Sequence, residues 1–352
     1  MSESAHSIVI GDDTSNIATP RATPLLSADR VSKVFLARRG MVGRRVAVNA
    51  VTEVDLTIQR GETFGLVGET GSGKSTLGRL VLGLEPVTAG EVRIDGLAMG
   101  AMSRKELKRL RRRIQVVFQD PYESLNPYMT VREILEEPFR IHGLYEHGVT
   151  DLRLRELLDL VGLPHAALAR APGEFSGGQQ QRIAIARALS LGAELLVADE
   201  PTAALDVSIQ AQILNLLMRL QRERGMAMLL ISHNLGVVRH MSTSLGVMYA
   251  GRIVEMGRSE DVYRGPRHPY TIALLSAIPV PDPRRERERS RVRIVGEAPD
   301  PAHLPSGCAF HPRCWMAIDR CRTERPVLRP IAGKQQLVAC HLASDDSGVR
   351  QC

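Results

Sequence analysis

The chain has 352 residues, 43% of them hydrophobic and 24% charged, which fits a folded globular protein and excludes a fibrous or wholly unstructured one. Aromatic residues make up only 4%, too few for a base-stacking surface, so the net charge of +7 is not assigned to nucleic acid; an anionic membrane surface is the better partner. No run approaches the roughly 18 apolar residues of a membrane-spanning helix, and the N-terminus lacks the basic and apolar segments of a secretory signal, so the expectation is a cytoplasmic protein with a disordered tail over 1–24.

From residue 25 to 67, short apolar runs alternate with turn residues, which predicts strands; the last, "TFGLVG", feeds a glycine-rich turn. "KSTLGRLVLGL" has helical periodicity. "EVRIDG" reads as a further strand, and the leucines of "RKELKRLRRR" (Arg104–Arg113) mark an amphipathic surface helix. Residues 121–171 are mostly helical in pattern. Strand patterns return in "AELLVAD" and "AMLLIS", separated by the helical "SIQAQILNLLMRLQRERG". Strand–helix alternation of this kind predicts an α/β fold, its sheet parallel at the core with helices on both faces. Composition shifts after Arg264, where "GPRHPY" and the mixed-charge "RRERERSR" begin a different region. The predicted organisation is therefore a core domain over 25–264, with a helical part at about 121–180, and an extension over 265–352. No internal repeat is visible.

"GETGSGKS" (Gly68–Ser75) has the spacing G-x-x-x-x-G-K-S between a predicted strand and a predicted helix. In such a loop the backbone N–H groups of Gly68, Glu69, Thr70, Gly71, Ser72 and Gly73 can turn inward on phosphate, and the helix start through Thr76 adds partial positive charge. Lys74 can reach the outer phosphates and the Ser75 hydroxyl can ligate Mg²⁺. The apolar strand "LLVADE" ends in Asp199, a second Mg²⁺ ligand, and Glu200, placed to orient or deprotonate an attacking water. These residues predict a nucleoside triphosphate site.

With "FSGGQQQR" (Phe175–Arg182) lying between phosphate loop and acidic strand, the chain resembles the ATP-binding-cassette ATPases over about residues 25–260. The resemblance implies a P-loop ATPase core with a mixed sheet, an antiparallel β-subdomain and an inserted helical subdomain. It also implies roles. Ser176, Gly177, Gly178 and Gln179 are the signature, which faces ATP held by a partner's phosphate loop. Gln119 is the Q-loop glutamine and a Mg²⁺ contact, Asp206 the D-loop, and His233 the switch histidine. Phe35 occupies the place of an adenine-stacking aromatic. Only about a hundred residues separate phosphate loop and signature, and there is one cassette, which argues against a chromosome-maintenance or translation-factor type. The finer resemblance is to bacterial oligopeptide/dipeptide importer ATPases of the second-subunit type. It is carried by "VVFQDPYESLNPYMTV", "LLVADEPTAALDVSIQAQILNLL", "ARRGMVGRRVAV" and the His-Pro-Tyr of His268, Pro269 and Tyr270. It implies two permease subunits, a sister ATPase, an external solute-binding protein and a place on the cytoplasmic face of the inner membrane. Nickel and other small-solute importers share this branch. Asn234 stands where an Asp normally follows the switch histidine, which bears on the geometry around His233.

All five cysteines lie near the C-terminus, and Cys308, Cys314, Cys321 and Cys340 follow the spacing C-x5-C-x6-C-x18-C. A cytosolic location disfavours disulfides. Reduced thiols in a small packed tail, a zinc site and a [4Fe–4S] cluster all fit this pattern, and relatives in the peptide-importer branch include cluster-holding ones. Cys352 is expected to stand apart from the four.

Overall fold

Three strands, β3 (Thr63–Val67), β7 (Leu195–Asp199) and β8 (Ala227–Ile231), are buried almost throughout. Their sequences are continuous apolar runs, as expected of strands covered on both faces. In β8 the side chains alternate between two cores. Met228 and Leu230 face one, and Ala227, Leu229 and Ile231 face the other. The computed structural model that shows this describes residues 23–38, 45–278, 282, 284 and 291–343. The expected tail over 1–24, apart from Thr23 and Pro24, lies outside the described residues. So do 39–44 of the "ARRGMVGRRVAV" stretch, most of "RRERERSR", and Cys352.

Two sheets organise the chain. A four-stranded antiparallel sheet runs in the order β2-β1-β4-β5 and is formed by β1 (Leu26–Arg38), β2 (Arg45–Ile58), β4 (Ala89–Ile94) and β5 (Leu97–Ala98). The larger sheet adds β6 (Ile114–Val117), β9 (Ser244–Tyr249), β10 (Arg252–Arg258), β11 (Arg329–Pro330) and β12 (Leu337–Val338), in the order β11-β12-β10-β9-β3-β8-β7-β6. Its five strands from β9 to β6 are mutually parallel, and β10, β12 and β11 are added antiparallel. This is the expected mixed sheet with a parallel core beside an antiparallel sheet.

One core lies between β3, β7, β8, the antiparallel sheet and α1 (Lys74–Val81). The other packs the opposite face against the helical segment: α4 (Val131–Ile141), α5 (Val149–Val161), α6 (Gly177–Leu189) and α7 (Val207–Arg224). Three shorter helices complete the core region: α2 (Arg104–Arg113), α3 (Pro121–Ser124) and α8 (Leu235–Met241). Helix α2 shows the expected amphipathic pattern, with Leu110 its only buried residue and a Ser103–Glu106 capping box at its start.

After α9 (Ser259–Arg264) and α10 (Pro269–Ser276) the chain returns to the same sheet through β11 and β12. A buried carboxylate anchors this return. Glu255 on β10 is fully buried; Oε1 accepts from the Arg267 N–H at 2.7 Å and from Gln336 Nε2, and Oε2 accepts from the His268 N–H at 2.9 Å. Burial pushes its pKa upward against the pull of these donors. His268, wholly enclosed, caps α10 by accepting from the Tyr270 N–H at 3.1 Å, and burial lowers its pKa to about 3, so the ring is neutral. Tyr270 then packs at a tilt of 58° against Tyr249 and Phe310, at centroid distances of 4.6 and 5.4 Å.

Candidate active site

The turn from β3 into α1 carries Gly68–Ser75, so the sheet's carboxyl edge presents the loop at the start of a helix. Gly73 caps that helix with φ 102°, and a Cβ there would sit 2.2 Å from the Ala50 carbonyl oxygen. Backbone shape and backbone contact both require glycine at this position. Lys74 lies folded along the loop, its Nζ donating to the carbonyls of Gly68 at 2.8 Å and Glu69 at 2.9 Å. Burial lowers its pKa, while the nearby carboxylates of Glu200, Asp199 and Glu69 oppose that shift.

Ser75 Oγ donates to Asp199 Oδ1 at 3.0 Å, so two hard oxygen ligands at the ends of different elements meet beside the loop. Burial raises the Asp199 pKa, and the Glu200 charge adds to the rise. This oxygen pair fits a Mg²⁺ ion in chemistry, since a divalent cation stabilises the carboxylate that burial disfavours.

Glu200, one residue past Asp199, has φ 48°, unusual for a side-chain-bearing residue. Its N–H donates to the Ile231 carbonyl at 2.9 Å, which fixes the turn, and its Oε2 lies 2.9 Å from His233 Nδ1. Strands β7 and β8 therefore bring their following residues together. Gly68, Glu69, Thr70, Gln119, Glu200 and His233 share one cavity of about 400 Å³. Asn234 keeps the local geometry: its side chain accepts from the N–H groups of Gly236 at 3.0 Å and Val237 at 3.3 Å, capping α8 as an Asp would.

The residues Ser176–Gln179 are not among the walls of this cavity. Ser176 is the N-cap of α6, and it forms a reciprocal capping box with Gln179. A Cβ on Gly178 would lie 2.4 Å from Ile209 Cγ2, so the start of α6 packs closely against α7. Asp206, the exposed N-cap of α7, and Phe35 on β1 also lie outside the cavity walls. The Phe35 ring is 36% exposed, with Lys33 Nζ 4.8 Å from its centroid.

Comparison with known proteins identifies the family. The family "ABC transporter" matches residues 51–203, and "Oligopeptide/dipeptide transporter, C-terminal region" matches 254–321. YkfD of Bacillus subtilis (strain 168) is 51% identical over 323 residues, covering 92% of this chain and 96% of that protein. AppF of the same strain, an oligopeptide transport ATP-binding protein, is 46% identical over 322 residues, covering 91% of this chain and 98% of its own. The chain belongs to the ABC transporter ATP-binding proteins. Among solved structures, the dimeric ATP-binding cassette MJ0796 in a post-hydrolysis state with ADP and Pi aligns with TM-score 0.59 at 31% identity. That alignment covers 66% of this chain and 98% of the other.

This ABC ATPase makes contacts that the sequence patterns did not single out. Arg313 and Tyr270, both in the region after the cassette core, contact Glu69 of the phosphate loop. Arg313 stands inside the "FHPRC" segment already marked by its cysteines, but nothing in the spacing links it to a loop 244 positions earlier. The four thiols Cys308, Cys314, Cys321 and Cys340 line one small cavity of about 10 Å³ with His268, His311 and His341. The pKa values of Cys308, Cys314 and Cys340 are raised by burial first, with the other thiols adding to the rise; that of Cys314 reaches about 11. Among the described residues, no group of three or more His, Cys, Asp or Glu side chains is arranged to hold a metal ion.

Proposed function

We propose that this chain is the ATP-hydrolysing subunit of a bacterial ABC importer for di- and oligopeptides. One observation carries the reading: a single chain joins the assembled Lys74, Ser75–Asp199 and Glu200–His233 site to a C-terminal region that matches the oligopeptide/dipeptide transporter extension. In this reading Lys74 holds the outer phosphates, and Ser75, Asp199 and Gln119 hold Mg²⁺. The ion, when bound, offsets phosphate charge. Glu200 accepts a proton from the attacking water while His233 holds the Glu200 carboxylate in line.

Ser176, Gly177, Gly178 and Gln179 serve a second cassette. Their helix start offers N–H groups and partial positive charge to ATP on a sister ATPase subunit, so closure of the pair requires nucleotide and hydrolysis releases it. Asp206 lies on the same closure surface, and Phe35 offers its ring to adenine.

No helix among the described residues is long and apolar enough to cross a membrane, so an importer of this kind needs separate permease subunits, two in number, and an external solute-binding protein. The segment after Gln119 supplies a surface for them: Tyr122 is 61% and Tyr128 96% exposed. Arg187 on α6 ties that segment to the signature helix by donating to the Ser124 carbonyl at 2.6 Å. The chain then sits on the cytoplasmic face of the inner membrane. Co-expressed with permease subunits of a peptide importer, it should sediment with membranes and co-purify with them. Recovery in the soluble fraction with bound nucleic acid or ribosomes would sink the importer reading, and transport of nickel in place of peptide would move it within the branch.

For the thiol pocket the proposal is a [4Fe–4S] cluster held by Cys308, Cys314, Cys321 and Cys340, which would have to draw together a set not arranged around a metal ion in this structure. The support is four soft donors that line one cavity. Anaerobically purified protein should be brown, with about four iron and four acid-labile sulfide per chain. A colourless, iron-free preparation contradicts the assignment, and stoichiometric zinc would replace it.

A further inference from the structure

Hydrogen bonds from the C-terminal extension reach the phosphate loop at Glu69. Arg313 grips its carboxylate with both terminal guanidinium nitrogens, Nη1 to Oε2 at 2.8 Å and Nη2 to Oε1 at 3.2 Å. The Glu69 N–H donates to the Tyr270 hydroxyl at 2.8 Å. Its carbonyl accepts from Lys74 Nζ at 2.9 Å. Every polar group of Glu69 is thus held, two of them from the extension and the third by the lysine of the loop. The Arg313 side chain is 10% exposed and that of Glu69 29%, so the pair lies mostly out of water and is screened less than a surface ion pair.

The partners are themselves fixed. Arg313 also donates to the Tyr249 hydroxyl at 3.4 Å, and Tyr249 packs edge-on against Phe310 at 5.2 Å. The turn bearing Arg313 is closed by Cys308: the His311 N–H donates to the Cys308 carbonyl at 2.9 Å, and the Cys308 N–H to the Cys321 carbonyl at 2.8 Å. Tyr270 is fully buried on α10.

We propose that Arg313 and Tyr270 are positioning residues for ATP binding: by clamping Glu69 they set the backbone of the phosphate loop and the reach of Lys74. The inference rests on the loop being the ATP site. It makes the extension part of the nucleotide site, with Glu69 as the joint. A bidentate ion pair of this kind is stronger than a neutral hydrogen bond, and loop geometry enters directly into phosphate affinity.

The test is equilibrium MgATP affinity and thermal midpoint of the purified full chain, for wild type and for Arg313→Ala, Arg313→Lys, Tyr270→Phe, Glu69→Gln and the Glu69→Gln/Arg313→Ala double variant. Arg313→Ala should raise the Kd for MgATP about tenfold, Tyr270→Phe by a smaller factor, and Arg313→Lys, which keeps the charge but not the two-pronged contact, should recover only part of the Arg313→Ala loss. The double variant should bind no worse than Arg313→Ala, because both substitutions remove one interaction. A structural brace alone would lower the thermal midpoint and leave the Kd unchanged, which overturns the proposal, as do additive losses in the double variant. Should Arg313→Ala fail to fold, Glu69→Gln decides, because it keeps the side chain's shape and removes the charge: an unchanged Kd overturns the clamp. Failure of the wild type to bind MgATP contradicts the ATP site itself, not the clamp.

Discussion

Glu200→Gln is expected to lower ATP turnover by about 10²- to 10⁴-fold, the range typical of a lost general base, with MgATP affinity unchanged. The reason lies in what the substitution preserves. The Glu200 backbone is fixed by its N–H bond to Ile231 and by its turn at φ 48°, neither of which depends on carboxylate charge. A glutamine can still hydrogen-bond His233 Nδ1 across the 2.9 Å gap. Basicity toward water is lost, while Lys74, Ser75 and Asp199 are left in place. Phosphate release in the assembled transporter measures the turnover, and equilibrium nucleotide binding measures the rest. Binding lost together with turnover would show that Glu200 shapes the site; unchanged turnover would remove it from the mechanism.

Glu255→Leu should be the most damaging substitution for stability away from the nucleotide. It strips the acceptor from three donors, the N–H groups of Arg267 and His268 and the side-chain amide of Gln336, in a fully buried setting. Each orphaned donor costs about 1–3 kcal/mol, so a loss of roughly 3–5 kcal/mol is expected after relaxation. The thermal midpoint should fall by about 10 °C for a chain of this size. The damage should concentrate where β12 joins β10 and where His268 opens α10, because both meet at this carboxylate. Glu255→Gln keeps the size but presents an N–H₂ toward donors, so it should recover only part of the loss. A midpoint within 2 °C of wild type for Glu255→Leu, roughly the reach of a 1 kcal/mol change, would mean that these three bonds do not hold the extension.

Much of this site was legible because its chemistry is local in sequence. A phosphate loop needs its glycines, lysine and serine within eight positions, and strand ends announce themselves by a carboxylate after an apolar run. The S-x-x-Q of Ser176 and Gln179 is readable as a helix start for the same reason, and the structure forms that capping box. The strands of residues 25–67 and the helical segment followed from period and length, and the antiparallel arrangement from the family resemblance. Three features were not legible. Strands β11 and β12 are two residues each, and Pro330 within "RP" argues against a strand at all; they exist because Glu255 and β10 offer them an edge. Glu255 itself reads as an ordinary polar residue in "GRIVEMG", and its burial is decided by Gln336, 81 positions away. The Glu69–Arg313 pair spans 244 positions, and no local pattern encodes a contact made by closing the chain on itself. Phe35 lies on β1 with Lys33 Nζ over its ring.

The departure at Asn234 has a physical answer of the same local kind. The position needs a short side chain with an acceptor oxygen to cap α8, and Asn supplies one. The proposed role of His233 depends on its contact with Glu200, which the asparagine leaves intact.

The most direct test is uptake of a labelled di- or oligopeptide into proteoliposomes that carry this chain with the proposed permeases, sister ATPase and solute-binding protein. The account predicts ATP-dependent accumulation that vanishes in the Glu200→Gln variant while peptide binding to the external protein persists. ATP hydrolysis that proceeds at the wild-type rate with no peptide accumulation would contradict it.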